Sequence, residues 1–106
     1  MFVALWEYEV KPGCEKRFEK AYGPDGDWAR LFQSDSRYSE MRLVRDTFRR
    51  GVYLTMDFWE SRAGYEEFMT THGDEYKALD AAGEKLTNKE RRIGWYEMVE
   101  GSKAHL

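Results

Sequence analysis

Hydrophobic and polar positions alternate in four segments of the chain, and this period of two predicts four β-strands. The segments are residues 2–10, 38–46, 52–60 and 91–99. In the first, the even positions from Phe2 to Val10 share one face, which we expect the helices to cover. In the third, we expect one face to lie toward the helices and the other to lie on the open side of the sheet. The first of these faces carries Val52, Leu54, Met56 and Phe58, and the second carries Tyr53, Thr55, Asp57 and Trp59.

Between the first two strands, apolar residues three and four positions apart predict a helix that is broken in the middle. The helix begins after Pro12, which cannot continue a strand, and ends at Gly23-Pro24, since the residue before proline avoids helical geometry. Asp27 is the predicted N-cap of the second half. Trp28 then heads a short apolar stripe, which the break aims toward the interior.

A second divided helix is predicted between the third and fourth strands. Ser61 is its expected N-cap, and its buried stripe consists of Tyr65, Phe68, Met69 and His72. Gly73 is expected at the end of the first half, and Asp74 is expected to cap the next. Residues 87–90, with the sequence TNKE, are predicted to turn the chain into the last strand.

The order strand, helix, strand, strand, helix, strand predicts an α+β fold of the ferredoxin-like type, βαββαβ. We expect an antiparallel sheet with the split helices on one face, formed by a single domain over residues 1–100 and followed by a loose tail at 101–106. The other sheet face would be bare and partly apolar, with Val3, Leu5, Tyr53, Thr55 and Trp59 on it. Because monomers rarely expose such a patch, we expect a homodimer through the sheet face.

Charge and composition exclude several classes of protein. The chain has 17 basic and 20 acidic residues, a net charge of −3 and no basic stripe, so a nucleic-acid partner is not expected. No apolar run is long enough for a membrane span, and the first residues do not resemble a secretion signal. The single cysteine, Cys14, cannot form an internal disulfide and suits a reducing compartment. A cytoplasmic location is therefore expected.

Known metal and nucleotide motifs are absent from the sequence. Asp25 and Asp27 suggest a calcium loop, but residues 28–34 contain no acid to complete one. There is also no zinc spacing, no phosphate-binding glycine loop and no G-x-S-x-G motif. We therefore predict no metal site, and we interpret the segment around Asp27 as a turn and a cap.

Aromatic residues make up 16% of the chain, with four Trp, seven Tyr and six Phe. Those expected to converge under the helices form either a pocket for a flat ligand or simply the core. They are Trp6, Tyr8, Trp28, Phe32, Phe58, Tyr65, Phe68 and Tyr76. His72 is the candidate catalytic base, because an unperturbed imidazole titrates near pH ~6.5. The alternative is a structural histidine that interacts with the last carbonyls of its helix.

Three segments together resemble the antibiotic biosynthesis monooxygenase-like (ABM) family over about residues 2–99. They are WEYEVKPGCEKRFEKAYGPDGDWARLF, YLTMDFWES and YEEF. The resemblance implies a dimeric α+β barrel with one cleft per subunit between sheet and helices. It also implies oxidation of electron-rich aromatic polyketides by molecular oxygen, with no flavin, metal or other cofactor.

A second branch of this family degrades heme, and its pattern can be compared with this chain. It has an asparagine in strand one, a tryptophan after the W-x-S motif and an axial histidine. The corresponding positions fall near Trp6, at Phe68 and at Ala78, and none of them matches. Heme degradation is therefore not indicated.

Two functions follow from this comparison. The first is a cofactor-independent monooxygenase for a phenolic or polycyclic small molecule, with His72 as base and with Trp6 and Trp28 orienting the ring. The second is a non-catalytic small-molecule-binding or structural homodimer of the same fold.

Overall fold

The computed structural model describes residues 1–101 and contains one antiparallel sheet with helices on one side, which confirms the ferredoxin-like fold. The strands lie in the order β2-β3-β1-β4. Of the predicted tail, only Gly101 belongs to the described residues. The elements are β1 (Phe2–Val10), α1 (Glu15–Tyr22), α2 (Asp27–Phe32), β2 (Tyr38–Arg45), β3 (Val52–Trp59), α3 (Arg62–Thr71), α4 (Gly73–Glu84) and β4 (Thr87–Glu97).

The pairing of β1 with β3 corrects the predicted faces of β3. Phe2 lies opposite Trp59 and Tyr8 opposite Tyr53, and paired residues point to the same side of a sheet. Trp59 and Tyr53 are therefore buried under the helices together with Thr55, rather than lying on the open side. The even residues of β3, including Phe58, take the open side instead. Alternation could not decide between the faces because both are largely apolar.

The core lies between the sheet and the helices in two clusters, one toward each end. The first cluster consists of Phe2, Ala4, Phe32, Trp59, Tyr65 and Phe68. The second consists of Tyr8, Val10, Cys14, Phe18, Tyr22 and Tyr53. Trp28 packs against both clusters. The even face of β1 is thus covered by helices, as predicted.

The helix ends confirm one predicted cap and correct two. The hydroxyl of Ser61 accepts a hydrogen bond from the Gly64 amide at 3.1 Å, which caps α3. Asp27 is instead the first residue of α2, after Gly26, and its carboxylate accepts from Arg30 at 2.5 Å. Asp74 lies inside α4, which begins at Gly73 without a side-chain cap. In both helices the N-cap is a residue before the acid, Gly26 in α2 and His72 in α4, so the acid lies in the first turn.

The break between α1 and α2 is a tight turn closed by a hydrogen bond from the Gly26 amide to the Gly23 carbonyl, at 3.0 Å. A Cβ on Gly26 would collide with the backbone carbonyls of Lys20 and Ala21. Glycine is therefore required here by the close approach of the end of α1. The turn ends at Gly26, two residues before Trp28, and sets the direction in which its indole points.

The last strand begins four residues before its predicted start. Thr87 and Lys89 already pair with Val10 and Glu9 of β1, so residues 87–90 are strand and not turn. The central strand β1 is long enough to hold this extension, which sequence periodicity could not show. No helix within residues 1–101 is long and apolar enough to cross a membrane.

Candidate functional site

A cavity lies between the helix-facing side of the sheet and the helices, where the two core clusters meet. All eight elements contribute to its lining. Water-sized molecules can occupy about 30 Å³ of it, which is room for roughly two waters. The lining residues are Trp6, Tyr8, Tyr22, Trp28, Phe32, Met41, Thr55, Asp57, Tyr65, Met69, Tyr76, Asp80 and Glu90.

Six of the eight aromatic residues predicted for the pocket line this cavity: Trp6, Tyr8, Trp28, Phe32, Tyr65 and Tyr76. The structure places the other two elsewhere. Phe58 lies on the opposite side of the sheet, for the reason given by the β1–β3 register. Phe68 is 1% exposed and belongs to the core, with its ring centroid 5.1 Å from that of Trp59.

His72, the base predicted from the sequence, does not line the cavity. It lies at the junction of α3 and α4, where its ring stacks on that of Phe68 with centroids 4.4 Å apart. Its Nδ1 is 2.7 Å from Oε2 of Glu75. The imidazole is thus turned toward Glu75 at the helix junction, and His72 is not among the residues that line the cavity.

Asp57 is the titratable group that the sequence analysis did not select. It lies in the middle of β3, opposite Ala4 of β1, and its side chain faces the cavity. No hydrogen bond or ion pair to its carboxyl is formed within residues 1–101. Burial raises the pKa of Asp57 to about 7, because the charged form loses water without gaining a partner. At neutral pH the carboxyl therefore exists in both protonation states, which suits a group that takes up and returns a proton.

A signal for Asp57 was present in the sequence. The strand YLTMDFW contains one acid among apolar and aromatic residues, and a lone acid in such a strand is either on the solvent face or functional. The incorrect face assignment for β3 placed Asp57 on the open side of the sheet, away from the cavity. Asp80 and Glu90 carried no comparable signal, because exposed acids are frequent along this chain.

Four tyrosines accompany Asp57 in the lining, namely Tyr8, Tyr22, Tyr65 and Tyr76. Burial is the main cause that raises the pKa of each phenol, to about 12 for Tyr76. These groups therefore remain neutral across the physiological range and can donate hydrogen bonds to a ligand oxygen.

Trp28 is held by contacts with three aromatic rings. Its ring centroid lies 6.0 Å from that of Tyr22, 5.8 Å from that of Phe32 and 5.1 Å from that of Tyr76. Tyr22 in turn lies against Gly83 of α4, where a Cβ would collide with its hydroxyl. The glycine allows α4 to approach α1 closely, which closes this side of the cavity.

Within residues 1–101, no three His, Cys, Asp or Glu side chains come close enough to hold a metal ion together. Asp57, Asp80 and Glu90 line the same cavity but do not form a metal-binding group.

Comparison with solved structures identifies several proteins with the same architecture. SnoaB, a cofactor-independent oxygenase from Streptomyces nogalater, superimposes with a TM-score of 0.73 at 12% sequence identity over 97% of each chain. A Caulobacter crescentus CB15 protein assigned as an antibiotic biosynthesis monooxygenase gives 0.73 at 22% identity, over 93% of this chain and 90% of its own. A Methanosarcina mazei Go1 protein superimposes with a TM-score of 0.67 at 12% sequence identity, over 90% of this chain and 89% of its own.

No protein-family model matches the chain, and no curated protein is similar to it in sequence. At these identities the structural likeness shows the fold alone. The chain has an ABM-like fold, and the resemblance found in its sequence is confirmed at that level.

Proposed function

We propose that this protein is a monooxygenase that oxidises an electron-rich aromatic molecule, phenolic or polycyclic, with molecular oxygen and without a bound cofactor. The observation that carries the proposal is the unpaired carboxyl of Asp57 facing an aromatic cavity. The name of SnoaB, a cofactor-independent oxygenase of the same fold, supports the reaction type.

The reaction of an anthrone-like substrate illustrates the role of each group. Asp57 removes a proton from the ring CH₂, and the electron pair left on carbon reduces O₂ as a C–O bond forms. The proton returns from Asp57 to the peroxide. Loss of the second hydrogen from carbon and cleavage of the O–O bond then give a carbonyl and one water. One oxygen atom enters the product and the other is reduced to water.

The remaining lining residues position the ring and stabilise its anion. Trp6 and Trp28 offer surfaces for a flat ring, whose offset or edge contacts contribute about 0.5–1.5 kcal/mol each beyond area burial. The neutral hydroxyls of Tyr65 and Tyr76 donate hydrogen bonds to the oxygen on which negative charge develops after deprotonation. Asp57 accepts the proton.

The cavity must widen to admit such a ring. Its free space fits roughly two waters, while pockets for drug-sized ligands enclose about 300–1,000 Å³. The side of the cavity formed by α2 rests on aromatic contacts of Trp28, so α2 is the element that we propose moves outward.

The test is oxygen consumption with a panel of anthrones and hydroxylated naphthalenes, using wild type, Asp57→Asn and His72→Ala. We expect Asp57→Asn to lose turnover by a factor of about 10²–10⁴, while quenching of tryptophan fluorescence shows that the ring still binds. His72→Ala should retain turnover, because its imidazole faces the helix junction. The proposal would be overturned if Asp57→Asn turned over as fast as wild type. It would also be overturned if no member of the panel elicited oxygen uptake.

A homodimer through the open sheet face remains part of the proposal. Half-buried side chains on that face, Leu5, Leu54, Met56 and Phe58, adjoin Val44, which is 40% exposed. A contiguous apolar surface of this kind favours a second copy of the chain. Light scattering should give twice the 12.6 kDa of one chain. Phe58→Glu should give a monomer with unchanged far-ultraviolet dichroism, and a monomeric wild type at micromolar concentration would contradict the dimer.

The second candidate function is a non-catalytic binding or structural dimer of the same fold. The narrowness of the cavity favours it, since the aromatic rings fill most of the space. It predicts no oxygen uptake with any substrate in wild type or in Asp57→Asn.

A further inference from the structure

The charge of the cavity is entirely negative. Asp57, Asp80 and Glu90 line it, and none of its lining residues is Lys, Arg or His. Arginine forms ion pairs with acids at several other places in the fold, for example with Glu7 and with Asp35. No such ion pair within residues 1–101 involves a cavity carboxyl. The cavity therefore lacks the counter-charge that acids elsewhere in this protein have.

Two of these carboxyls share one end of the cavity. Asp80 lies one helical turn after Tyr76 on α4, so both project from the same face of the helix. Glu90 lies on β4 opposite Tyr8 of β1. Glu90 is exposed, but partial burial of its carboxyl raises the pKa, and the charge of Asp80 raises it further. The two carboxyls therefore repel each other, and no Lys, Arg or His lines the cavity to offset the repulsion.

Aromatic rings border this acidic end. Tyr22, Trp28 and Tyr76 line the cavity beside Asp80 and Glu90, and the charges of both acids raise the pKa of Tyr22 and of Tyr76. The face of an aromatic ring carries negative potential and attracts organic cations, more strongly when they are desolvated. Carboxylates and ring faces together favour a positive ligand and disfavour an anionic one.

We infer that the ligand of this cavity is an aromatic molecule that carries a basic amine or quaternary ammonium group. The cationic group lies between Asp80 and Glu90 against the rings of Tyr22, Trp28 and Tyr76, and the aromatic ring extends inward to Asp57. This inference specifies the substrate class and rests on the proposed function only in taking the cavity as the ligand site. The unpaired carboxyl of Asp57 is the independent sign that the cavity receives a ligand.

The test compares two phenols of the same shape that differ in charge, 3-hydroxyphenyltrimethylammonium and 3-tert-butylphenol. Binding is measured by calorimetry and by chemical-shift changes of the tryptophan indole N–H signals, on wild type, Asp80→Asn and Glu90→Gln. Asp74→Asn is the matched control, because it removes one negative charge from α4 at a position outside the cavity lining. We expect the cation to bind wild type about tenfold more tightly than its neutral counterpart.

The substitutions should remove this preference selectively. Asp80→Asn and Glu90→Gln should each weaken cation binding several-fold and leave 3-tert-butylphenol unaffected, while Asp74→Asn behaves as wild type. Equal binding of the two phenols would overturn the cationic ligand but keep the cavity as a binding site. Cation binding that persists unchanged in both variants would also overturn it. Failure of both phenols and of the anthrone panel to bind would overturn the proposed function as well.

Discussion

The indole of Trp28 and the phenol ring of Tyr76 meet edge to face, with centroids 5.1 Å apart and an interplanar angle of 72°. This contact joins α2 to α4 over the cavity. An aromatic pair contributes about 0.5–1.5 kcal/mol beyond the area it buries, so separating the two rings is cheap compared with unfolding either helix. The contact can therefore hold the cavity closed in the free protein and still open for a ligand.

Replacing Trp28 tests how much the closed cavity depends on it. Trp28→Ala should lower the free energy of unfolding by about 2–3 kcal/mol, less than for a fully buried tryptophan because this side chain is only half-buried. Urea denaturation measures the loss of stability. Trp28→Phe should lose less than half as much as Trp28→Ala, because it keeps an aromatic ring. A Trp28→Ala variant within 0.5 kcal/mol of wild type would show that the indole does not support the core.

Asp57 should make the stability of the protein depend on pH. The unfolded chain ionises this carboxyl near pH ~4, whereas its pKa in the folded state is about 7. The folded state thus binds more protons over this interval, and its stability falls as the pH rises from about 4 to about 7. Asp57→Asn cannot ionise, so it should exceed wild type in stability at pH ~8 by roughly 2–3 kcal/mol, allowing for solvent in the cavity.

Urea denaturation of both proteins at several pH values measures this difference. The advantage of Asp57→Asn should shrink toward pH ~4, where Asp57 is protonated in both states. Asp74→Asn provides the control, and its stability should follow wild type across the range. If Asp57→Asn is no more stable than wild type at high pH, the charged carboxyl of Asp57 must be well solvated in the folded protein.

Two of the three predicted N-caps, Ser61 and Asp27, form a matched pair. Ser61→Ala removes an observed cap hydrogen bond and should cost about 1 kcal/mol, whereas Asp27→Ala removes only an exposed contact with Arg30 and should cost less than half of that. Thermal denaturation of the two variants compares their losses of stability. Equal losses would indicate that Asp27 caps α2 in solution.

Gly83 is where α4 approaches Tyr22 most closely. Gly83→Ala places a methyl group on the phenol hydroxyl and should destabilise the fold by about 1–3 kcal/mol through overpacking, although alanine favours helices. Tyr22→Phe in the same chain should recover part of the loss by removing the hydroxyl. The double-mutant cycle, measured in urea, should give a favourable coupling energy, and strict additivity would refute the contact.

The fold could be predicted from the sequence because its signals are local. Alternation marked β1 and β3, the proline after Gly23 marked the break in the first helical region, and Ser61 marked a helix start. The element order then limited the topology to few choices. The start of β4 was misplaced because the pairing with β1, and not the local sequence TNKE, determines where that strand begins.

The site was predicted only in part, since it depends on which face of β3 is covered. Both faces of β3 are largely apolar, so a register shift of one residue decides whether Asp57 faces the open side of the sheet or the helices. Trp6 and Trp28 were identified because their placement depends on the even face of β1 and on the helix break. His72 was selected because its sequence position lies on an apolar stripe. However, α3 ends at Thr71, and the His72 ring turns toward Glu75.

Every element of the fold contributes a side chain to the cavity, from Trp6 on β1 to Glu90 on β4. The binding site and the folded domain are therefore lost together, since no part of the chain can retain the site alone. A ligand that binds only the native state raises its stability by RT ln(1 + [L]/Kd), or about 2.7 kcal/mol at a hundredfold excess over Kd. The melting temperature of the whole domain consequently reports on occupancy, so candidate molecules can be screened by heating, without knowledge of the reaction.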